Sequence, residues 1–263
     1  MRLSVLFEKC LYAKYLHSPN GGNYAIERIG STLYIYLEHS DGGEDWKNNM
    51  NFPAIPYKRM GKTVWFAHRG FLKVWKSMEP YLASNILDPS LQNIITVGYS
   101  HGAALAVLCH EYIWYHRPDL RTVIEGYGFG CPRVVWGKLH GGRWERWQRF
   151  TVIRNLDDFV THLPPSFLGY THVGELLEIG EQGKYSTVDA HRAENILMEL
   201  RIREGRALKS NIAPRFGSRL LPLSLLTQTR VTAVSKRKQL ECCLRAAIPH
   251  KARNFRSETV FRA

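Results

Sequence analysis

Apolar positions in this chain fall into short continuous runs set between longer amphipathic stretches. Residues 31–37, 63–67, 91–97, 122–128, 149–154 and 176–179 are rich in β-branched and aromatic side chains, which predicts strands. Residues 71–83 place apolar side chains at helical spacing. Residues 103–117 are rich in Ala and Leu and carry no Gly or Pro before Pro118, which predicts a helix. Residues 190–203 read as a terminal helix, and a short helix precedes the first strand. Strands alternating with helices imply an α/β fold: a mostly parallel central sheet with helices on both faces. In such sheets a ligand sits at the carboxyl ends of the strands.

Composition changes this picture mainly at the C-terminal end. The chain has 263 residues and a net charge of +13, of which +10 falls in residues 204–263 and only +3 in residues 1–203. The reading is one domain over 1–203 and a basic extension over 204–263, disordered or foreign to that domain. The extension has three prolines, Pro214, Pro222 and Pro249, that oppose one long helix. Such a charge block suits a polyanion, either nucleic acid or an anionic membrane, by electrostatic attraction. The main domain is nearly balanced, and no nucleic acid is expected for it. No run of about 18 apolar residues predicts a transmembrane helix. Residues 1–9 lack a signal-peptide core, and five cysteines without framework spacing fit a reduced compartment, so the cytoplasm is the expected location.

The densest chemical signal is Gly98-Tyr99-Ser100-His101-Gly102. It fits the Gly-x-Ser-x-Gly elbow, in which a serine sits on a tight strand-to-helix turn and the glycines relieve crowding. The strand before it and the helix after it are both predicted. A serine nucleophile needs a base, and the base needs an orienting acid, in the chain order Ser, Asp/Glu, His for this architecture. Asp157 and Asp158 follow the strand over 149–154 at its carboxyl end, whereas Asp119 ends the elbow helix, which runs away from the site. His162, His172, His191 and His250 follow the acid. The ring of His101 is too close to Ser100 to serve as base, but its backbone N–H suits an oxyanion donor. No zinc spacing, phosphate loop or dinucleotide fingerprint is present, so no metal or cofactor is expected. The glycine-rich run 126–130 precedes Pro132 and reads as close backbone packing.

Residues 155–165 followed by 169–174, with Gly130-Cys131-Pro132-Arg133-Val134 and the elbow, resemble the class 3 (fungal-type) lipase family over about residues 30–200. That family carries Asp-x-Val-Pro-x-Leu-Pro-Pro, then Gly-Tyr-x-His, and an elbow that is usually Gly-His-Ser-Leu-Gly-Gly. The resemblance implies an α/β-hydrolase fold and a serine ester hydrolase with a small-molecule ester or lipid substrate. It aligns Asp158 as the acid and leaves Asp157 as a loop or turn residue. It makes His172, in the Gly-Tyr-x-His segment, structural and places the base later, at Asp189-Ala190-His191, with His172 the alternative. It matches Ser40, six residues before Trp46, to the second oxyanion residue, although Glu38-His39 replaces the usual Arg-Gly; a turn cap is the other role for Ser40. Residues 66–71 resemble the family's Val-His-x-Gly-Phe. Tyr99, His101-Gly102-Ala103 and Thr161-His162 depart from the pattern. None removes a catalytic group, but they bear on substrate preference. The short polar stretch 42–52 favours short- to medium-chain esters over long-chain triglyceride. Two rival readings stand beside this one: a polyanion binder acting through the tail, and a hydrolase-like module without catalysis.

Overall fold

Turn chemistry and side-chain alternation account for most of the architecture. In the computed structural model, residues 1–18, 22–38, 52–137 and 142–212 are described. Helix α1 spans Leu3–Leu11, and β1 (Leu16–His17), β2 (Asn23–Ile29) and β3 (Thr32–Leu37) follow as an antiparallel set. Strands β4 (Ala54–Arg59) and β5 (Lys62–His68) form a hairpin whose turn residues, Met60 and Gly61, have φ of 48° and 76°. Two successive positive φ values match the right-handed twist of the flanking strands. Next come α2 (Arg69–Ile86), β6 (Asn93–Tyr99), α3 (His101–His116), β7 (Glu125–Phe129), β8 (Val135–Trp136) and the short α4 (Gly142–Glu145). Strands β9 (Phe150–Asn155), β10 (Tyr170–Thr171) and β11 (Glu175–Ile179) lead to α5 (Ala193–Ile212).

The main sheet has the order β1-β2-β3-β6-β7-β9-β11, parallel from β3 through β11. Its two faces are covered differently. Helix α3 is buried from His101 through Ile113, because it lies between the sheet and a second layer that contains Trp65, Trp75 and Trp147. A helix apolar all round belongs in such an interior position. The opposite face is covered by α1 and α5, where Leu6, Phe7, Ile196 and Leu200 meet Val97, Tyr99, Phe129 and Ile153. Burying a side chain of Phe7's size contributes about 1.5–3 kcal/mol.

Three expectations are corrected. The strand predicted over 63–67 forms, but it lies in a separate antiparallel sheet of order β10-β8-β5-β4 and not in the main sheet. Its alternation explains this: Trp65 and Ala67 are buried while Phe66 is exposed, as in a sheet with one solvated face. The strand predicted from residue 122 starts at Glu125. The terminal helix starts later and runs further than 190–203. Residues Asp189–His191 form a separate 3-10 turn, Arg192 is extended at φ −62° and ψ 140°, and α5 continues to Ile212. The charge change at residue 204 therefore falls inside a helix, because Arg, Glu, Ala and Leu sustain helix irrespective of net charge. The remainder of the predicted extension, from residue 213, lies outside the described residues.

Candidate active site

Strand β6 and helix α3 meet at Ser100, held at φ 55° and ψ −118°. A non-glycine residue pays about 1–3 kcal/mol for such a backbone, which surrounding structure must over-determine. The over-determination is visible. A Cβ on Gly98 would stand 2.1 Å from the Gly102 carbonyl oxygen, and one on Gly102 would stand 2.1 Å from the Leu37 carbonyl oxygen. The Ser100 amide donates to the Phe129 carbonyl at 2.9 Å, tying the turn to β7. Its side chain then projects at the carboxyl edge of the parallel strands.

Asp158 follows β9 at the same edge and is fully buried. One carboxylate oxygen, Oδ1, accepts the Val160 amide at 2.9 Å; the other, Oδ2, lies 2.9 Å from His191 Nδ1. His191 Nε2 lies 2.8 Å from Ser100 Oγ. Ser100, His191 and Asp158 thus form one continuous hydrogen-bonded chain. Asp157 stands apart. It adopts φ 70°, and its carboxylate accepts the Gly183 amide, which is turn chemistry. His172 is also elsewhere: its Nε2 lies 2.7 Å from the Thr161 carbonyl oxygen, and burial lowers its pKa to about 4. It supports the loop after Asp158, since Thr161 donates to the Asp158 carbonyl at 2.8 Å. Arg133, in the Gly130–Val134 motif, donates to the His162 and Pro164 carbonyls of the same loop.

His101 opens α3, so its amide stands at the positive end of the helix beside Ser100. Its ring is buried edge-on to Phe71, with centroids 5.4 Å apart, and burial lowers its pKa to about 4. Ser40 and Trp46 lie outside the described residues, as does His250.

Sequence reasoning missed several residues that hold His191. Gly130, at φ 56°, leaves room for it: a Cβ there would stand 2.8 Å from His191 Cε1 and 3.2 Å from Asp158 Oδ2. Asn155 Nδ2 donates to the Ala190 carbonyl at 2.9 Å, and Tyr99 contacts His191 directly. Gly130 alone left a signal, in the glycine-rich run read as close packing. Among the described residues, no group of three His, Cys, Asp or Glu side chains could hold a metal ion. A cleft of about 460 Å³ bounded by His110, Trp114, Arg121 and Arg149 shares no residue with the Ser100 chain.

The family described as Lipase (class 3) matches residues 34–168. A lipase of Rhizomucor miehei is 28% identical over 150 residues, 55% of this chain and 40% of that protein, so the chain spans less than half of that relative's length. Solved structures with a similar fold include a fungal lipase–inhibitor complex, with a TM-score of 0.57 at 21% identity, covering 68% of this chain and 78% of that one. The Rhizomucor miehei triacylglyceride lipase gives a TM-score of 0.54 at 24% identity, covering 64% and 67%. A lipase from Rhizopus microsporus var. chinensis gives 0.53 at 20% identity, covering 71% and 72%. The matched stretch contains Ser100 and Asp158, whereas His191 lies beyond it.

Proposed function

The chain belongs to the class 3 lipase family, and from that premise we propose that it is a serine carboxylic-ester hydrolase working through Ser100, His191 and Asp158. The observation that carries the reading is the unbroken hydrogen-bond chain from Ser100 Oγ through His191 to the buried Asp158. As Ser100 Oγ attacks the ester carbonyl, His191 Nε2 takes its proton. The tetrahedral oxyanion is met by the His101 amide and, in this proposal, by Ser40. His191 then gives the proton to the leaving alcohol, and an acyl group remains on Ser100. Water, deprotonated by the same imidazole, attacks the acyl carbonyl; the bond to Ser100 Oγ breaks, His191 returns the proton to Oγ, and the acid leaves. Asp158 holds the Nδ1–H tautomer and stabilises the imidazolium formed in each half-reaction.

For the substrate we propose short- to medium-chain acyl esters. The polar stretch at 42–52 supports this by its sequence. An exposed apolar surface of Phe66, Trp136, Phe167 and Leu168 favours an acyl-bearing substrate over a purely polar one. A second proposal concerns residues 204–263, whose charge of +10 suits an anionic surface. Removing residues 213–263 should abolish salt-sensitive binding to anionic vesicles; equal binding by the truncated chain excludes that role.

Fluorophosphonate labelling tests the main reading. The native chain should label, and Ser100→Ala should not. His191→Ala should label more slowly by roughly 100-fold or more. Persistent labelling in Ser100→Ala would move the nucleophile elsewhere. Across p-nitrophenyl esters, the rate should peak at short or medium chains; a maximum at long chains refutes the substrate proposal.

A further inference from the structure

Tyr99 directly precedes the nucleophile on β6, and strand alternation turns its side chain toward the face covered by α1 and α5. There it meets the base twice. Its hydroxyl donates to the His191 carbonyl oxygen at 2.6 Å. Its ring lies against the imidazole, with centroids 5.3 Å apart and planes at 29°. Behind Tyr99 stands Phe7 of α1, edge-on at 5.4 Å and stacked on Phe129 at 4.4 Å. Helix α1 is in turn held to α5: the Ser4 amide and hydroxyl donate to the Glu204 carboxylate at 2.9 and 2.6 Å, and Arg201 pairs with Glu8.

We infer that Tyr99, backed by Phe7, is the positioning residue of the base, setting the place of the His191 imidazole between Asp158 and Ser100. The inference rests on the hydrolase reading. His191 sits on a three-residue 3-10 turn whose backbone bonds, from the Ala190 and His191 amides to the Ser186 and Val188 carbonyls at 2.8 and 3.1 Å, fix the main chain but not the imidazole. Three side chains donate to the carbonyls of this turn. Asn155 holds the Ala190 carbonyl and Asn195 holds the Asp189 carbonyl at 2.8 Å. Tyr99 holds the carbonyl of the residue that bears the imidazole. Its ring also covers one imidazole face, which limits rotation and places π density beside the imidazolium that forms when Ser100 loses its proton. Phe7 and His191 both lie outside the family-matched stretch 34–168, and Tyr99 inside it joins them. Tyr99 is also where the elbow departs from the family's usual His. The base is therefore set by a chain of rings running from α1, and α1 contributes to the rate from behind the sheet.

The test is steady-state hydrolysis of p-nitrophenyl butyrate by the full chain and by Tyr99→Phe, Tyr99→Leu and Phe7→Leu. Tyr99→Phe keeps the ring and loses the hydroxyl; kcat should fall about fivefold with KM within about twofold. Tyr99→Leu loses both and should lower kcat about thirtyfold, again with little change in KM. Phe7→Leu should lower kcat about threefold, and by less in the Tyr99→Leu background, since the two act through one path. Unchanged kcat in an active native background, or a loss confined to KM, overturns the inference and leaves the hydrolase reading intact. If Tyr99→Leu does not fold, Tyr99→Phe decides. Proton NMR supplies a readout independent of turnover. The Nδ1 proton between His191 and Asp158 should give a downfield resonance that broadens in Tyr99→Leu. A native chain that neither labels nor hydrolyses refutes the hydrolase reading; an unbroadened resonance in Tyr99→Leu still refutes the positioning role.

Discussion

Ser100 and His191, the nucleophile and base of the proposed reaction, are held by opposite means. Ser100 is fixed by its covalent neighbours: a strand ends at Tyr99, a helix begins at His101, and two glycines let three backbone segments close around it. His191 is fixed from a distance. Its partners are 33 residues away at Asp158 and 92 away at Tyr99, and Asn155 reaches its turn across 35. A mainly local device tolerates almost no change in its own few residues and asks the rest of the fold for the Leu37 and Phe129 backbone against which it closes. A device made of distant contacts spreads the demand, so each contact sets the rate by degrees and none decides whether the chain folds.

Glycine substitutions in the two regions break this comparison most sharply. Gly98→Ala drives a Cβ to 2.1 Å from a backbone carbonyl that cannot swing away. It should destabilise the fold by more than about 4 kcal/mol, visible as lost soluble expression or a collapsed urea midpoint. Gly130→Ala meets a side chain instead, at 2.8 Å from His191 Cε1, and adds the strain of Ala at φ 56°. It should fold, at a loss of about 1–2 kcal/mol, while kcat falls on the order of 100-fold as the ring is pushed off Ser100. Equal damage to folding in both variants would show that the two regions are held alike.

The same difference governs what the sequence discloses. The elbow is legible because its strand, glycines and helix are contiguous, and Asp158 because it follows a strand and precedes a Leu-Pro-Pro segment like the family's. The inner parallel strands stand out as apolar runs because helices cover both faces of the sheet, whereas β11, at its edge, is mostly exposed. Strands β8 and β10 are two residues each and are strands only through pairing with β5 and with each other, so no run of residues marked them. Residues 63–67 read as a strand from their β-branched and aromatic side chains, which do not disclose which sheet the strand joins. Residues 155 and 99 carry no local sign of their role, since a carbonyl 35 or 92 residues away is invisible to spacing. Helix α5 runs past residue 203 because Arg, Glu, Ala and Leu keep to helix across the change in charge.

Asn155 gives an intermediate effect. Asn155→Ala removes the donor to the Ala190 carbonyl in a fully buried site. Leaving that oxygen unpaired costs about 1–3 kcal/mol of stability, and kcat should fall about tenfold because only the turn's anchoring is lost. Thermal unfolding and turnover of one preparation measure both. A loss of stability with kcat unchanged would show that the base needs no grip on its turn beyond Asp158 and Tyr99.

The smallest effect concerns acid. Burial lowers the pKa of His101, beside the nucleophile, to about 4 and that of His172, under the acid loop, to about 4. Each would titrate near 6.5 in the unfolded chain, so below that pH the unfolded state binds more protons than the folded one. The stability tied to these neutral rings is present above about pH 6.5 and is lost as pH falls toward 4. Between pH 7 and 5 each ring should remove about 1–2 kcal/mol, read from urea midpoints at constant slope. His172→Gln keeps a polar side chain beside the Thr161 carbonyl without a titrating ring and should flatten the decline by one ring's share. The decline itself should strike both regions together, because His101 and His172 must each be expelled or charged in place. A variant that declines as steeply as the native chain would mean that the His172 ring reaches solvent before unfolding, and that the acid loop opens separately from the elbow.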